Sequence, residues 1–559
     1  MNKKESGSVS RRGFLAGTAV AGAGLLAGLT ACDGNASTEK SQNVSAADIK
    51  WDHECDVLVA GSGSGLAAAV AAADSGAEVI VVEKREVVGG SIAFSGGGVW
   101  IPNRANSREH GDTEEKARAY LSLMRRDEGS EELSESFLLN GQMMLDFLER
   151  TCNIEWSAGS GTDYHPEWEG AAIGRGGGAA ARKDEDTSGG LAGGGRLVNR
   201  LIEGVDSLGV EILLSTAASK LITQTNSEGA NEVIGIEATQ GSKTINIKAR
   251  KGVVLSTGGF EWDDELRQHY IGGPAEFKRS VPENTGDALR MVMRIGADLR
   301  MMNACWGNVV YREDSKRLND VGGVVGIALL MDRAKPGTIM VDKSGRRFCN
   351  EAADYDSLWW AFRNRETHGA MDYTAAEGAY LIADADMVAK FGLCTSDNDP
   401  SKGAPDYTII ADTIEDLAVK LNMDPTQLTN TITRFNEYAK QGIDPDFHRG
   451  ESIFDRTFMV DDDFKEKPEA TLRALENGPF YALEVATASA GTHGGPKVNK
   501  DSQVIDVDGN VIPRLYAAGN TAAIGAPGMV YGGPGGTIGP ALVFNVLAGI
   551  HAASLSPVE

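Results

Sequence analysis

Apolar residues run without a break through Val57-Leu58-Val59-Ala60 after Asp56. That is the pattern of a strand buried on both faces, not the alternation of a half-exposed one. An alanine-rich stretch from Leu66 to about Asp74 follows at helical length, and Gly76 ends it. Glu78-Val79-Ile80-Val81-Val82-Glu83 then reads as a second buried strand. Much later, Leu255-Ser256-Thr257-Gly258-Gly259-Phe260 and Leu515-Tyr516-Ala517-Ala518-Gly519-Asn520 each run from a strand into glycine. Gly535-Gly536-Thr537-Ile538-Gly539 opens a last apolar helix through Leu547. Between these, Thr413-Ile414-Glu415-Asp416-Leu417 and Pro425-Thr426-Gln427-Leu428 carry the start signals of a peripheral helical pair within 407–440. The sequence shows no internal repeat.

Between the first strand and the first helix lies Gly61-Ser62-Gly63-Ser64-Gly65. Strand, glycine turn, helix and strand end in an acid, Glu83, 22 positions after Gly61. Glycines there let backbone approach a pyrophosphate at the positive end of a helix, and a carboxylate at the second strand's end accepts ribose hydroxyls. The third glycine comes one residue earlier than in G-x-G-x-x-G. Glu83 and Lys84 are therefore candidate cofactor residues together with Gly61, Gly63, Ser64 and Gly65. Val88-Gly89-Gly90-Ser91 and Ser95-Gly96-Gly97-Gly98-Val99-Trp100 supply small residues where an extended flavin would lie, which indicates FAD rather than NAD. Gly90, Ser91, Gly97, Gly98, Thr257, Gly258, Gly259, Gly519, Asn520, Thr537 and Ile538 complete the expected cofactor set. The last helix would aim its N-terminal dipole at a negatively charged reduced flavin.

Composition sharpens this picture in three places. Glycine makes up 69 of 559 residues and is clustered, as close approach to a large ligand requires. The net charge is −25, and the first 32 residues contribute a net +3, so the remainder carries −28 and repels nucleic acid. Cysteines at 32, 55, 152, 305, 349 and 394 form no CxxC pair, which argues against haem, zinc or iron–sulfur ligation, and no metal is expected. Ser10-Arg11-Arg12-Gly13-Phe14-Leu15 has the pattern of a twin-arginine signal, and Ala16–Leu29 is too short to span a bilayer. The run ends Leu29-Thr30-Ala31-Cys32, similar to a lipobox, so we expect export and lipid anchoring, with 33–50 as a tether.

At this point the chain, from 52 to 555, resembles the flavoprotein family of fumarate reductase and 3-ketosteroid dehydrogenases. Gly345-Arg346-Arg347-Phe348-Cys349-Asn350-Glu351 resembles the family's capping motif G-[KR]-R-F-x-N-E. Fumarate reductases follow it with T-R-D, whose arginine donates a proton. Here Ala352-Ala353-Asp354-Tyr355-Asp356 puts Tyr355 in that place, as in the ketosteroid branch. Asp163-Tyr164-His165-Pro166-Glu167 and Tyr531-Gly532-Gly533-Pro534-Gly535-Gly536-Thr537 are similar to that branch's two other tyrosine stretches. In the second, proline stands at 534 instead of directly after the tyrosine. Asn284-Thr285-Gly286-Asp287 resembles the T-G-D turn.

The resemblance implies an α/β fold: a Rossmann-like FAD-binding domain with an inserted α+β capping domain. We expect the FAD part at 51–279 and 481–559 and the cap at 280–480, with the active site between them. It also implies roles. Tyr531 hydroxyl and the Gly535 amide bind a ketone oxygen, Tyr355 exchanges the α-proton, and Tyr164 assists it. The expected activity makes or reduces a C=C bond conjugated to a ketone, most simply in a 3-ketosteroid, with an unidentified electron donor or acceptor as partner. A reductase of acrylate-type acids is the rival; Arg363 or Arg365 would then replace the missing arginine, and His493 would hold a carboxylate. An exported flavin carrier without its own substrate is a third reading. The stretch 170–195, beside Arg175, Arg182 and Arg196, is either a pyrophosphate wrap or a surface loop. Cys305 and Cys349 are expected to be buried and structural.

Overall fold

The parallel strands at the heart of the fold are the apolar runs of the sequence. In the computed structural model, described residues are 49–126, 128–182, 193–273, 277–320, 332–364, 378–394, 399–522, 524 and 528–558. The expected signal, and the tether up to residue 48, lie outside them. Residues from Lys50 onward form one compact unit.

His53–Ala60 pairs in parallel with Val79–Val82 on one side and Lys243–Leu255 on the other. Val511–Ala517 and Glu211–Leu213 extend the parallel array outward. Thr216–Thr225 and Asn231–Gln240 join it as an antiparallel ribbon, and Gln503–Ile505 closes one edge, making eight strands among the described residues. Val57, Leu58, Val59 and Ala60 are fully buried, because helices cover both faces. Gly65–Asp74 is one such helix, and eight of its ten residues are buried. Ile538–Ser554 is another, similarly apolar all round, which is what a helix inside a large core requires. The parallel strands end together, at Ala60, Val82, Leu255 and Ala517, and the crevice beyond such carboxyl ends is where open α/β sheets bind ligands.

A second sheet is antiparallel for the most part. Its order is Thr338–Val341, Ala379–Ala383, Phe480–Thr492, Ile409–Ala411. Cys305–Tyr311 and Phe277–Lys278 pair with the far half of Phe480–Thr492. This long strand runs on past position 480, so strands of the second sheet extend from Phe277 to Thr492. Helices Ile414–Lys420 and Pro425–Ala439 lie where the sequence signals put them, capped by Thr413 and Asp424. Their apolar sides bury Leu417, Leu428, Ile432 and Phe435 against this sheet.

The G-R-R-F-C-N-E stretch is a structural knot. Arg347 bridges Glu351 (2.7 Å) and Asp444 (2.8 Å), all three essentially buried, and Arg449 also reaches Glu351. Burial raises the Glu351 carboxyl, but the two guanidinium groups outweigh that and hold it below its ordinary range. Cys349 is buried, and burial pushes its thiol well up; Cys305 is buried beside Ser489. The five described cysteines are free. Among the described residues no helix is long and apolar enough to cross a membrane.

Candidate active site

One continuous cavity of about 490 Å³ begins at the carboxyl ends of the parallel strands and runs to a cluster of phenols. Gly61 has φ +100°, and a Cβ there would stand 2.2 Å from the Ser256 carbonyl, so two strand ends meet at this glycine. At Gly63, which lines the cavity, a Cβ would find nothing nearer than Gly89 O at 3.7 Å. That open space is a cradle for a phosphate group. Glu83 is fixed at the second strand's end: its Oε2 accepts from Ser62 N (3.0 Å) and Ser62 Oγ (2.5 Å), and its Oε1 from Arg85 N (2.8 Å). Lys84 is tied to Thr285 Oγ1 and Asp287, in the turn where Gly286 at φ +74° starts the helix Asp287–Met293. Thr257 Oγ1 is buried, lines the cavity and has no hydrogen-bond partner, an acceptor or donor held ready for a ligand. The residues present thus fit a flavin dinucleotide.

Of the residues expected to hold the cofactor, Gly61, Gly63, Ser64, Glu83, Lys84, Gly90, Ser91, Gly97, Gly98, Thr257, Gly258, Asn520, Thr537 and Ile538 line this cavity. Gly65, Gly259 and Gly519 do not. A Cβ on Gly65 would press on Val59 and Ser256 at 3.1 Å, and one on Gly259 would meet Thr492 Oγ1 at 2.2 Å. These two glycines serve packing between elements. Gly519, at φ +67°, lies against Ser64 and lines a small neighbouring void.

At the other end Tyr164, Tyr355, Tyr531 and Gly535 come together from three distant parts of the chain. Ring centroids are 5.7 Å apart for Tyr164–Tyr355, 5.7 Å for Tyr164–Tyr531 and 5.2 Å for Tyr355–Tyr531. Each is placed by a separate device. Asp354 caps the helix Tyr355–Phe362, accepting from the amides of Asp356 (3.1 Å) and Ser357 (3.0 Å), so Tyr355 is the first helical residue. Tyr164 N donates to Gly532 O (3.0 Å), and Tyr120 OH donates to the same carbonyl (2.7 Å), which locks the loops of Tyr164 and Tyr531 together. Trp306 stands edge-on to Tyr531 at 5.3 Å, and Phe454 packs on Tyr164 at 5.0 Å. Burial, followed by the charges of the two neighbouring phenols, holds Tyr355 well above the ordinary tyrosine range. Burial also raises Tyr531, opposed by hydrogen bonding from Tyr355 and Thr537.

The Gly170–Gly195 stretch is corrected in its described part. Arg175 does not wrap a pyrophosphate. It is fully buried between Asp112 (2.6 Å) and Asp163 (2.8 Å), and Asp163 also accepts from Trp100 Nε1 (2.8 Å). This triad braces the residue next to Tyr164. Burial raises Asp163 to about 6 in spite of Arg175, whereas Asp112, facing two nitrogens of the guanidinium, is held below its usual range against the same burial effect. Arg182 pairs with Glu203 and Arg196 donates to Ala179 O, and neither lines the cavity. His493 is buried against Trp306 and lines the small void instead of the cavity; burial drops it to about 3, so it is neutral. Arg363 donates to the carbonyls of Ile271 and Gly272 and stacks over Trp359, away from the cavity. Arg365 lies outside the described residues. The sequence reading missed Ser62, Trp306, Asn308 and Arg279, all lining the cavity. Ser62 stands inside the glycine turn, which could have marked it, whereas nothing in the local patterns of Trp306, Asn308 and Arg279 does, since only the fold brings them to the cavity.

Parallel strands feeding a glycine cradle, continuous with a chamber of phenols, define a flavoprotein oxidoreductase. The chain belongs to the family described as FAD binding domain, whose model matches residues 56–538, and FAD is its cofactor. It is similar to 4-oxocyclohexanecarboxylate 2-dehydrogenase of Sinomonas cyclohexanicum, 32% identical over 88% of this chain and 92% of that protein. It is equally similar to 3-oxosteroid 1-dehydrogenase of Mycolicibacterium smegmatis, 32% identical over 90% and 97%. Among solved structures, 3-ketosteroid delta1-dehydrogenase from Sterolibacterium denitrificans, in complex with 1,4-androstadiene-3,17-dione, aligns with TM-score 0.80 at 27% identity over 90% of this chain and all of that one.

Proposed function

We propose that this enzyme adds or removes hydrogen across the carbon–carbon bond beside a ketone on a six-membered ring. The observation that carries the reading is the convergence of Tyr164, Tyr355 and Tyr531 within 5.2–5.7 Å, ring centre to ring centre, in the cavity that also holds the cofactor cradle. The names of the similar proteins share a ring ketone.

Bound FAD supplies hydride chemistry. The protein's part is acid–base and electrostatic. Tyr531 hydroxyl and the Gly535 amide grip the ketone oxygen, which makes the α-carbon acidic and accepts the charge that develops on oxygen. Tyr355 delivers or removes the α-proton, and Tyr164 hydrogen-bonds and orients it. The helix Ile538–Ser554 starts at the cavity, so its N-terminal amides would favour negative charge on a group held there. Trp306 and Phe454 keep the phenols out of water, so a proton moves between defined partners.

Enzyme reduced anaerobically with dithionite is expected to be reoxidised by cyclohex-2-enone and by 4-androstene-3,17-dione, and not by fumarate, as read by return of the flavin absorption. Reoxidation by fumarate with both enones inert overturns the reading in favour of the acrylate-type rival.

The enzyme also works outside the cytoplasm, held to the membrane by a lipid on Cys32. Ser10-Arg11-Arg12-Gly13-Phe14-Leu15 and Leu29-Thr30-Ala31-Cys32 support this placement. Cys32→Ala is expected to move the protein from the membrane pellet to the soluble fraction on cell fractionation. An unchanged pellet fraction counts against the anchor.

A further inference from the structure

Three cationic side chains line the cavity among the described residues: Lys84, Arg85 and Arg279. Two have acidic partners. Lys84 lies 3.0 Å from Asp287 and Arg85 lies 3.2 Å from Glu283. Arg279 has none. Its Nη1 donates to Asn308 Oδ1 (2.6 Å), its backbone amide to Ser489 O (2.8 Å), and its Nε is buried without any acceptor. Asn308 is itself buried, with its amide spent on the Gly307 carbonyl (2.8 Å), so it orients the guanidinium without neutralising it.

An arginine stays charged at any physiological pH, and a guanidinium largely withdrawn from water is unfavourable without a counter-ion. Burial accordingly pushes Arg279 down from its ordinary value, and the one group that offsets this is Tyr355. Tyr355 is a phenol held well above its usual range and thus neutral, so it supplies no charge. The location is also specific. Arg279 shares the cavity wall with Asn308, Trp306 and Tyr355, at the phenol end, whereas the phosphate cradle lies at Gly61–Gly65. The bond-making reaction at the ketone needs no cation there, because Tyr531 and Gly535 already take the carbonyl oxygen.

We propose that Arg279, oriented by Asn308, is the anchor for a carboxylate on the ring-ketone substrate, which makes an oxo acid the preferred substrate over a neutral ketone. This rests on the ring-ketone reading and narrows it. The carboxylate completes the buried ion pair that the protein leaves half-built. Because Arg and carboxylate pair through two parallel hydrogen bonds, the anchor also fixes the ring's orientation under Tyr355 and Tyr531.

The test compares 4-oxocyclohex-2-ene-1-carboxylate with its methyl ester as oxidants of dithionite-reduced holoenzyme, and 4-hydroxybenzoate with its methyl ester as unreactive ligands that perturb the flavin absorption. Each pair differs in charge and hardly in shape. Wild type is expected to prefer the acid in both assays. In Arg279→Gln the preference falls about 10- to 100-fold, the scale of one charge-assisted hydrogen-bonded pair. Arg279→Lys, which keeps the charge and loses the fork, retains part of it. Bound FAD per chain is measured in every variant. A wild type indifferent to the charge, a preference that survives Arg279→Gln, equal losses for acid and ester with a shifted pH profile (an arginine acting on Tyr355), or loss of FAD each overturns the anchor. Reoxidation by cyclohex-2-enone with no acid preference defeats the anchor alone. Failure of every ring enone defeats the ring-ketone reading as well.

Discussion

Tyr355→Phe is expected to keep its FAD and lose about 99% or more of turnover, the usual scale for removing a general acid or base. The substitution deletes one oxygen and keeps the ring that packs at 5.2 Å from Tyr531 and 5.7 Å from Tyr164. Asp354 still caps the helix through the amides of Asp356 and Ser357, so the residue's place at the first turn survives. The phosphate cradle lies at the other end of the cavity and is untouched. The loss therefore falls on proton exchange alone. Flavin content and absorption report the first half of the expectation, and steady-state rates with a ring enone the second. A mutant with wild-type turnover would remove Tyr355 from the mechanism.

The direction of the Tyr355 shift adds a pH signature. With its folded value well above the ordinary tyrosine range, the phenol is protonated throughout neutral and mildly alkaline conditions. As proton donor in reduction it is fully competent there, and the rate falls only when pH climbs through that raised value. As base in dehydrogenation it is starved of phenolate, so the rate climbs with pH across the same window. Opposite slopes for the two directions on one enzyme, lost together in Tyr355→Phe, tie the titration to this residue.

Gly61→Ala is expected to yield a folded chain without FAD. The reason is backbone geometry. At φ +100° an L-residue is strained, and the added Cβ would stand 2.2 Å from Ser256 O and 2.7 Å from Ser256 C. Neither of these atoms is the end of a flexible side chain. Ser256 N donates to Ala60 O at 2.8 Å, so relieving the clash pulls apart the two strand ends that frame the cradle. Cofactor affinity should fall by at least about 100-fold, since two or more backbone contacts are displaced at once. The flavin-to-protein ratio after desalting measures it. Gly76→Ala is the matched control: φ is +85° there too, but a Cβ meets nothing within 4 Å, so local strain remains and FAD is retained. Retention of FAD by Gly61→Ala would show that the loop can shift and that the cradle is built otherwise.

The local code was legible wherever one residue's neighbours in sequence are also its neighbours in space. The buried strand His53–Ala60, its glycine turn and the acid at Glu83 all lie within one strand–helix–strand unit, and apolar runs, glycine and a terminal carboxylate suffice to announce it. The helix starts at Thr413 and Asp424 are equally local, because a cap bonds amides two or three residues on. The three tyrosines were readable through the motifs around them. Their arrangement into one chamber needed the fold.

What only the tertiary structure decided depends on partners outside a residue's own stretch of sequence. Arg175 sits in a glycine-rich stretch that suggests a phosphate loop, yet Asp112 and Asp163 bury it completely. His493 looks like a ligand-binding histidine until its neighbour Trp306 and full burial make it neutral. Arg279 is an ordinary residue between Lys278 and Ser280 in the sequence. Among the described residues it becomes the cavity's uncompensated charge because the strand Phe480–Thr492 brings Asn308 to it and no carboxylate with it. Sequence alone thus determined the cofactor, since that follows from backbone shape and residue chemistry, and it marked the three phenols that the proposed mechanism uses. Which charges are cancelled, and which are left for a substrate, is set by long-range packing, because desolvation and pairing exist only once distant segments have closed around a group.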